Sequence, residues 1–440
     1  MLPLSQNNLN EVIAELEIQD ITTATIRQIV SLTKALESKS GEDFIHLEIG
    51  NPGLLAENIG IEAECNALQS GVANTYPDIS GIPVIKNAGT KFIKAFLNLD
   101  IPSKCIIPTV GSMQASYTLM TLLKQRIPGK DSMLIFNPGF PAQKHQAKML
   151  GLNCKEFDIY DFRGEKLRDK LDELLSDGTV TAMIYSNPNN PSWSNFTEEE
   201  LRYIGEAATK YDVIVLEDLA YMGMDFRKDC SVPGKPPYIP SVGNYTSNYI
   251  LLISASKIFS YAGQRIAIVA MSPEVYNRKY PVLDKFYEMP NFGECYIYGV
   301  LYTASSGVTH SSQCAMAAMM DKAAEGELDF IAHTKEYGKR AAQMKEAFTS
   351  NGFHIVYEKD GKEDISDGFF FTVGYGNISS EKLQKELLRY GVSSISLPST
   401  GSTKDGLRVC VSLMTKPEQF RELETRLKEF NDDHRKENDS

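Results

Sequence analysis

Short apolar runs recur along this chain and alternate with helical patterns, and this alternation restricts the fold more than any other feature. Between two of the runs lies Phe196–Asp212, where Thr197 and Glu200 form a capping box at the start of an amphipathic stretch. Repeated strand, helix, strand units predict an α/β fold with a mostly parallel sheet sandwiched by helices. The predicted strands are Met133–Phe136, Ala182–Ser186, Val213–Asp218, Tyr249–Ser254 and Ile266–Met271.

Polar side chains follow three of these strands at the point where each strand ends. Asn190 lies in the segment NPNNPSW after the second strand, and Asp218 with Tyr221 ends the third. The fourth strand leads into the segment SASK, which ends at Lys257. Ligands of parallel sheets bind at the carboxyl ends of the strands. The sequence therefore predicts a ligand site built from these strand ends, although NPNNP taken alone is typical of a plain turn.

Lys257 follows an apolar strand directly, with Ser254 and Ser256 before it and Arg265 eight residues beyond it. Burial favours the neutral form of a lysine amine, and a neutral amine is a nucleophile that forms Schiff bases with carbonyl compounds. Two hydroxyls and a guanidinium together suit a phosphate group. The pattern predicts a ligand that carries both a carbonyl and a phosphate.

Composition excludes several classes of function. The formal net charge of -12 argues against a nucleic-acid surface, and no apolar segment is long enough to predict a membrane span. The seven cysteines form no CxxC pair and the six histidines show no ligand spacing, so no metal site is expected. The first residues have no secretory pattern, and we expect a cytoplasmic protein.

The order of these motifs resembles the pyridoxal-phosphate-dependent aminotransferases of class I/II, the fold type I enzymes of the aspartate aminotransferase superfamily. The matching residues are Asn190, Asp218, Tyr221, Ser254, Ser256, Lys257 and Arg265. The resemblance implies a seven-stranded type of sheet in a large cofactor-binding domain at residues 51–313. It also implies a smaller α+β domain made from residues 1–50 and 314–440, and the tail from Asn431 onward is expected to be frayed.

The resemblance also assigns roles to the strand-end residues. Lys257 forms a Schiff base with pyridoxal 5'-phosphate and, once displaced by the substrate amine, moves the proton during the reaction. Asp218 keeps the pyridine nitrogen protonated, so that the ring can accept electrons. Tyr221 and Asn190 donate hydrogen bonds to the cofactor's phenolic oxygen. The predicted catalytic residues are thus Lys257, Asp218 and Tyr221.

Further segments match the family less specifically. The backbone amides of Gly111, Ser112 and Met113, at the start of a predicted helix, suit a phosphate. Phe140 in NPGFP resembles the ring that covers the pyridine. Tyr76 in TYPDISG resembles a tyrosine that reaches the phosphate of a neighbouring subunit, which implies a homodimer with shared sites.

Two positions resemble the family's substrate-binding residues. Arg408 lies in the apolar segment GLRVCVSL and resembles the arginine that binds the α-carboxylate of the amino acid, while Gly50 offers a backbone amide to the same group and Asn190 also contributes. A buried arginine requires an anionic or polar partner in any case, so a structural ion pair is the alternative.

Two segments depart from the family pattern. Trp193 stands where the family usually has a glycine after its asparagine and proline, so the turn there must differ. The stretch Lys279–Ser312 matches no family motif, and the segment SSGVTHSSQ, which ends one residue beyond it, belongs to this unmatched part.

The predicted function is transfer of an amino group between an L-amino acid and a 2-oxo acid. The same residues serve pyridoxal-phosphate lyases, decarboxylases and cyclising synthases, because the bond that breaks depends on substrate orientation. A non-catalytic regulator that binds the cofactor is a remote alternative, since the segment before Gly50 is not basic and shows no helix-turn-helix pattern.

Overall fold

A computed structural model describes residues 2–438, which divide into two compact units. The terminal unit comprises Met1–Gly53, Asn189–Ser194 and Lys335–Ser440. The central unit comprises Leu54–Pro188 and Asn195–Thr334. The domain boundaries expected from the sequence, at residues 51 and 313, stay a prediction.

The central unit is built on a seven-stranded sheet. Six strands run in one direction, and Ala267–Met271 is antiparallel to both of its neighbours. All five strands predicted from the apolar runs are present, and the α/β class is confirmed. In spatial order the strands are Ile106–Thr109, Ala267–Met271, Tyr249–Ser254, Ile214–Asp218, Val180–Ser186, Ser132–Asn137 and Asn153–Asp158.

Helices connect these strands, as continuous apolar strands require cover from water. In Glu198–Lys210, Thr197 accepts from the amide of Glu200 and the Glu200 carboxylate accepts from the amide of Thr197, which confirms the predicted capping box. The other helices of this unit are Asn58–Gln69, Pro83–Leu97, Gly111–Gln125, Pro141–Met149, Glu165–Leu175, Ala255–Ile258, Pro273–Asn277, Pro281–Tyr287, Phe292–Glu294, the π-helix Cys295–Leu301, Tyr302–Ser305 and His310–Ala324.

The terminal unit contains a four-stranded antiparallel sheet with the spatial order Ile395–Ser396, Leu407–Cys410, Phe370–Tyr375 and Phe353–Ile355. A parallel pair joins Ile45–His46 to Val392–Ser393, and a small hairpin pairs Lys359–Asp360 with Glu363–Asp364. Its helices are Gln6–Glu15, Ile26–Ser40, most of Phe330–Ser350, Ser380–Arg389 and Pro417–Asn438. An apolar cluster that includes Leu9, Ile29 and Leu388 packs the N-terminal helices into this unit.

The C-terminal helix extends beyond the predicted end. A frayed tail from Asn431 was expected, but the helix continues to Asn438, so that expectation is wrong for residues 431–438. The reason is tertiary: His434 is buried and stacks on Phe430 with ring centroids 4.0 Å apart, and the Tyr390 hydroxyl donates to Asp433 over 2.8 Å. The last two residues of the tail lie outside the described part of the chain. Across residues 2–438 no helix combines the length and the apolar character needed to cross a membrane.

Candidate functional site

In the central unit, the predicted polar residues lie at the carboxyl ends of adjacent strands. Asp218 is the last residue of its strand and stands in register between Ser186 and Leu252 on the two neighbouring strands. Ser254 ends the next strand, and Lys257 follows within one helical turn, Ala255–Ile258. The parallel register therefore brings the carboxylate and the lysine segment to one edge of the sheet, as the sequence predicted.

Asp218 is almost completely buried, with an exposed fraction of 6%. Its carboxylate accepts hydrogen bonds from the Gln143 side-chain amide over 2.9 Å and from the backbone amide of Ala220 over 3.2 Å. Burial raises the pKa of Asp218 to about 6, against the opposing effect of these two hydrogen bonds. A carboxylate held in this way is ready for a cationic partner.

Gln143 was not predicted as a site residue. It is buried and lies three residues after Phe140 on the helix Pro141–Met149, so the helix that begins beside Phe140 reaches Asp218. A glutamine one turn after a candidate aromatic ring was the only signal in the sequence. Phe140 itself is half-buried at the N-terminal end of this helix.

The segment from Ser254 to Arg265 forms a compact turn around the lysine. Ser254 caps the single helical turn, because its hydroxyl accepts from the amide of Ser256 over 3.2 Å. Lys257 is half-buried in this turn. Arg265 has a positive φ of 51° and donates to the carbonyl of Ala262 over 2.9 Å. The loop thus turns back, so that both serines and the arginine belong to one short structure.

Arg265 lies over the first residue of the helix Gly111–Gln125. A Cβ added to Gly111 would come within 2.4 Å of Arg265 Nη2, so the guanidinium lies directly over this residue, and the φ of 68° favours glycine here. Arg265 Nη1 is 3.5 Å from Ser256 Oγ. No side chain caps this helix among the described residues. The helix therefore begins at a glycine that faces a guanidinium, with Ser112 and Met113 as the next residues.

Tyr221 and Tyr76 complete the predicted residues of the central unit. Tyr221 is buried with an exposed fraction of 6% and lies three residues beyond Asp218. Tyr76 is exposed to 90% and is not brought into the group formed by Asp218, Lys257 and Arg265. Of the aromatic residues in the unmatched segment, Phe292 and Tyr296 are core residues, and the Tyr296 hydroxyl hydrogen-bonds Thr118 over 3.0 Å, whereas Tyr298 is exposed to 42%.

The terminal unit holds the remaining predicted residues around a buried arginine. Arg408 is exposed to only 2% and lies on the strand Leu407–Cys410, opposite Thr372. Its Nη2 donates to the carbonyl of Glu48 over 2.6 Å, and its Nη1 lies 3.4 Å from the side-chain oxygen of Asn190. The guanidinium carbon lies 4.7 Å from the centre of the Phe370 ring. Asn190 and Arg408, which are 218 positions apart in the sequence, are therefore neighbours.

Trp193, which stands where the family usually has a glycine, is accommodated in the interior of the terminal unit. It is fully buried, has a positive φ of 65°, and its amide donates to the carbonyl of Asn189 over 2.9 Å. The indole packs against Gly368, where an added Cβ would lie 2.0 Å from the Trp193 ring, and faces Phe370 at 6.2 Å. Gly50 is half-buried, and a Cβ added there would lie 3.8 Å from Phe370. That this turn differs from the turn of the family stays a prediction. In this chain the turn contains a tryptophan whose backbone adopts the left-handed conformation.

Within residues 2–438, histidine, cysteine and carboxylate side chains form no group that could hold a metal ion. What the central unit offers instead is an amine, a buried carboxylate and a basic helix start. The guanidinium at the helix start suits an anionic group of a ligand, and the buried carboxylate suits a cationic group.

Comparison with known proteins agrees with this geometry. The sequence profile of the family described as aminotransferase class I and II matches residues 42–427. A nicotianamine aminotransferase from Oryza sativa subsp. japonica is 27% identical over 245 residues, which are 54% of this chain and 48% of that protein. A probable aspartate aminotransferase from Methanocaldococcus jannaschii is 26% identical over 297 residues, which are 67% of this chain and 73% of that protein. The chain thus spans about half the length of the rice relative.

Solved structures show the same fold. A double mutant of the Thermus thermophilus aspartate aminotransferase matches with a TM-score of 0.75 over 94% of this chain and 98% of its own, at 17% sequence identity. An aminotransferase from Mycobacterium tuberculosis matches with a TM-score of 0.72 at 15% identity, over 93% of this chain and 96% of its own. Because the profile covers most of the sequence and the fold agrees, this chain belongs to the aminotransferase class I and II family.

Proposed function

We propose that this protein is an aminotransferase that binds pyridoxal 5'-phosphate and transfers an amino group between an L-amino acid and a 2-oxo acid. The family uses this cofactor. The observation that carries the proposal is the grouping of Asp218 and the segment Lys257–Arg265 at one edge of the sheet, beside the start of the helix Gly111–Gln125. When bound, the cofactor supplies an electron sink for the substrate's α-carbon.

Lys257 is the proposed covalent anchor and proton carrier. Its Nζ would hold the cofactor covalently through the cofactor's carbonyl carbon and, as a free amine, would accept and return the proton of the substrate's α-carbon. Its place on a short, capped turn limits the positions that the amine can reach.

Asp218 is proposed to pair with the ring nitrogen and keep it protonated. Its raised pKa reflects burial without a cation, and a cationic ring nitrogen beside it would favour the ionised carboxylate. Gln143 holds one oxygen of the carboxylate and so fixes its direction. Tyr221 and Asn190 are proposed to donate to the cofactor's phenolic oxygen.

The phosphate is proposed to bind to Arg265, to the hydroxyls of Ser254 and Ser256, and to the amides of Gly111, Ser112 and Met113. The proximity of Arg265 to Gly111 supports this set, because a phosphate there would meet the guanidinium and the positive end of the helix dipole together. Phe140 is proposed to cover the pyridine ring.

We further propose that two copies of the chain pair, with Tyr76 of each copy directed at the phosphate of its partner. The 90% exposure of Tyr76 supports this role, since a large aromatic side chain is costly to leave in water. Other exposed aromatic residues of the central unit are consistent with a covered surface; they are Tyr117, Phe286, Tyr298 and Tyr302.

Arg408 is proposed to bind the substrate's α-carboxylate, together with the amide of Gly50. The hydrogen bond to the carbonyl of Glu48 and the Phe370 ring orient the guanidinium. A guanidinium can bind a carboxylate through two parallel hydrogen bonds, which supports this role. We also propose that the domain boundaries lie at residues 51 and 313. The protein is further proposed to be cytoplasmic.

The test is to add single L-amino acids to the purified, cofactor-loaded protein in the absence of oxo acids. Transamination predicts that one oxo acid is released per active site, that the visible absorption of the cofactor is lost, and that a 2-oxo acid restores it. Release of ammonia, sulfide or carbon dioxide would point to the lyase or decarboxylase alternative. A protein that takes up no cofactor would refute the proposal.

A further inference from the structure

The segment SSGVTHSSQ, which matches no family motif, contributes to a buried polar group beside the loop that follows Lys257. At the start of the helix His310–Ala324, Ser311 and Ser312 are buried and donate to the carboxylate of Glu64 over 3.0 and 3.3 Å. Glu64 lies on the helix Asn58–Gln69 and has an exposed fraction of 9%. A third hydroxyl, that of Tyr261, donates to the same carboxylate over 2.6 Å.

Tyr261 belongs to the loop that follows Lys257, which is the least regular part of the central unit's site. Within eight residues, Ser260 and Arg265 adopt positive φ values of 52° and 51°. Each such conformation costs a non-glycine residue energy, so neighbouring contacts have to hold it. The hydroxyl of Ser260 is buried and makes no hydrogen bond within the described residues, so it does not hold the loop.

The contacts of Tyr261 do hold this loop. Tyr261 has an exposed fraction of only 5%, and its amide donates to the carbonyl of Ala255 over 3.1 Å. Its hydroxyl reaches Glu64 at a distance typical of a hydroxyl that donates to a charged carboxylate. Burial, and then the neighbouring Glu64, raise the pKa of Tyr261, which keeps the phenol protonated and able to donate.

We propose that Glu64 is a positioning residue for the cofactor phosphate: through Tyr261 it fixes the loop that directs Arg265 at the start of the helix Gly111–Gln125. This inference rests on the proposed function, because Arg265 is there assigned to the phosphate. Glu64 contacts Tyr261, Ser311 and Ser312 and acts on the ligand only through the loop. It therefore governs affinity for the phosphate, and not the chemistry at Lys257.

The test compares ligands with and without a phosphate on the full chain freed of cofactor. Dissociation constants are measured for pyridoxal 5'-phosphate and pyridoxal by absorbance and for inorganic phosphate by calorimetry. Tyr261→Phe removes one hydroxyl only, and we expect binding of both phosphate ligands to weaken roughly fivefold to tenfold, as for the loss of one charge-assisted hydrogen bond. Pyridoxal binding should change by less than about twofold, because pyridoxal does not use Arg265.

Variants of Glu64 supply the second measurement. Glu64→Ala should weaken the two phosphate ligands at least as much as Tyr261→Phe, whereas Glu64→Gln, which keeps an acceptor oxygen for Tyr261, should restore part of the affinity. If Glu64→Ala does not fold, Tyr261→Phe and Glu64→Gln still decide the question. The matched control is Tyr390→Phe, which removes the hydroxyl by which a buried tyrosine of the terminal unit donates to the carboxylate of Asp433, and which should leave all three affinities unchanged.

Equal weakening of pyridoxal and pyridoxal 5'-phosphate, or no weakening in either Tyr261→Phe or Glu64→Ala, would overturn the positioning role while the proposed function stands. A wild-type chain that binds no pyridoxal 5'-phosphate would instead refute the proposed function. In that case the affinity for inorganic phosphate alone tests the positioning role of Glu64. The role requires that this affinity falls in Tyr261→Phe and stays unchanged in Tyr390→Phe.

Discussion

The two compact units of this chain build their candidate residues in different ways. In the central unit the side chains lie just after the ends of parallel strands, and neighbours in space come from successive strands. In the terminal unit Arg408 lies within an antiparallel strand, and its partners Glu48, Asn190 and Phe370 come from distant parts of the sequence.

This difference shows which kind of site a sequence discloses. Parallel strands all end at the same edge of their sheet, so a list of strand ends is already a list of neighbours. A buried arginine in an antiparallel strand indicates that polar or charged partners are needed, but not which residues they are. The predictions below test whether the two units divide the work as proposed, with covalent chemistry in one and substrate binding in the other.

The largest effect is expected from Lys257→Ala. Loss of the proposed anchor and proton carrier should lower the transamination rate by about 10³-fold or more and remove the adduct that borohydride traps. The control is Lys86→Met, because Lys86 is also half-buried and burial lowers its pKa to about 8, yet it donates to the carbonyls of Ser80 and Ile106. An adduct that survives in Lys257→Ala and disappears in Lys86→Met would mean that the wrong lysine was assigned.

Trp193→Gly should lower the free energy of unfolding by about 3 kcal/mol, measured by urea denaturation. Removal of a fully buried aromatic side chain costs more than the relief of its positive φ returns. Trp193→Phe serves as the control and should recover part of the loss, because it keeps a ring toward Phe370. A loss below about 1 kcal/mol would show that the chain readily adopts the turn of its relatives.

Asp218 should make the stability of the cofactor-free protein depend on pH. Because burial raises its pKa in the folded state to about 6, the folded protein holds this proton more tightly than the unfolded chain does. The contribution of Asp218 to the free energy of unfolding is therefore fully present below about pH 4. It is lost as the pH rises through 6, which lowers the free energy of unfolding by roughly 2 to 3 kcal/mol. Asp218→Asn should not show this decrease in the free energy of unfolding. The difference between the urea denaturation series of the wild type and of the variant therefore measures the contribution of Asp218. Parallel series would contradict the raised pKa.

The smallest effect is expected from Arg408→Lys, with a loss of roughly tenfold to a hundredfold in kcat/KM, mainly through KM for the amino acid. A lysine keeps the charge but cannot bind a carboxylate through two parallel hydrogen bonds. Arg426→Lys is the matched control, since Arg426 is buried in the same unit and donates to the carbonyls of Gly391 and Asp43. Similar losses in both variants would assign Arg408 a structural role instead.

Several features were predictable because they depend on short-range patterns. The five strands follow from apolar runs, and the capping box of Thr197 and Glu200 follows from two residues three positions apart. The proximity of Asp218 to the lysine segment follows from strand order. Gln143 was not predicted, because its place one turn after Phe140 is a weak signal and its contact with Asp218 depends on tertiary packing.

The sequence by itself determined the α/β class, the polar strand ends and the family, since these depend on periodicity and on residues close together in the chain. Only the tertiary structure decided that Glu64 binds the Tyr261 hydroxyl, that Trp193 occupies the space left by Gly368, and that the C-terminal helix continues past Phe430. The physical reason is the same in each case. A buried hydrogen bond or a ring contact depends on which distant side chains share a volume, and packing alone fixes that.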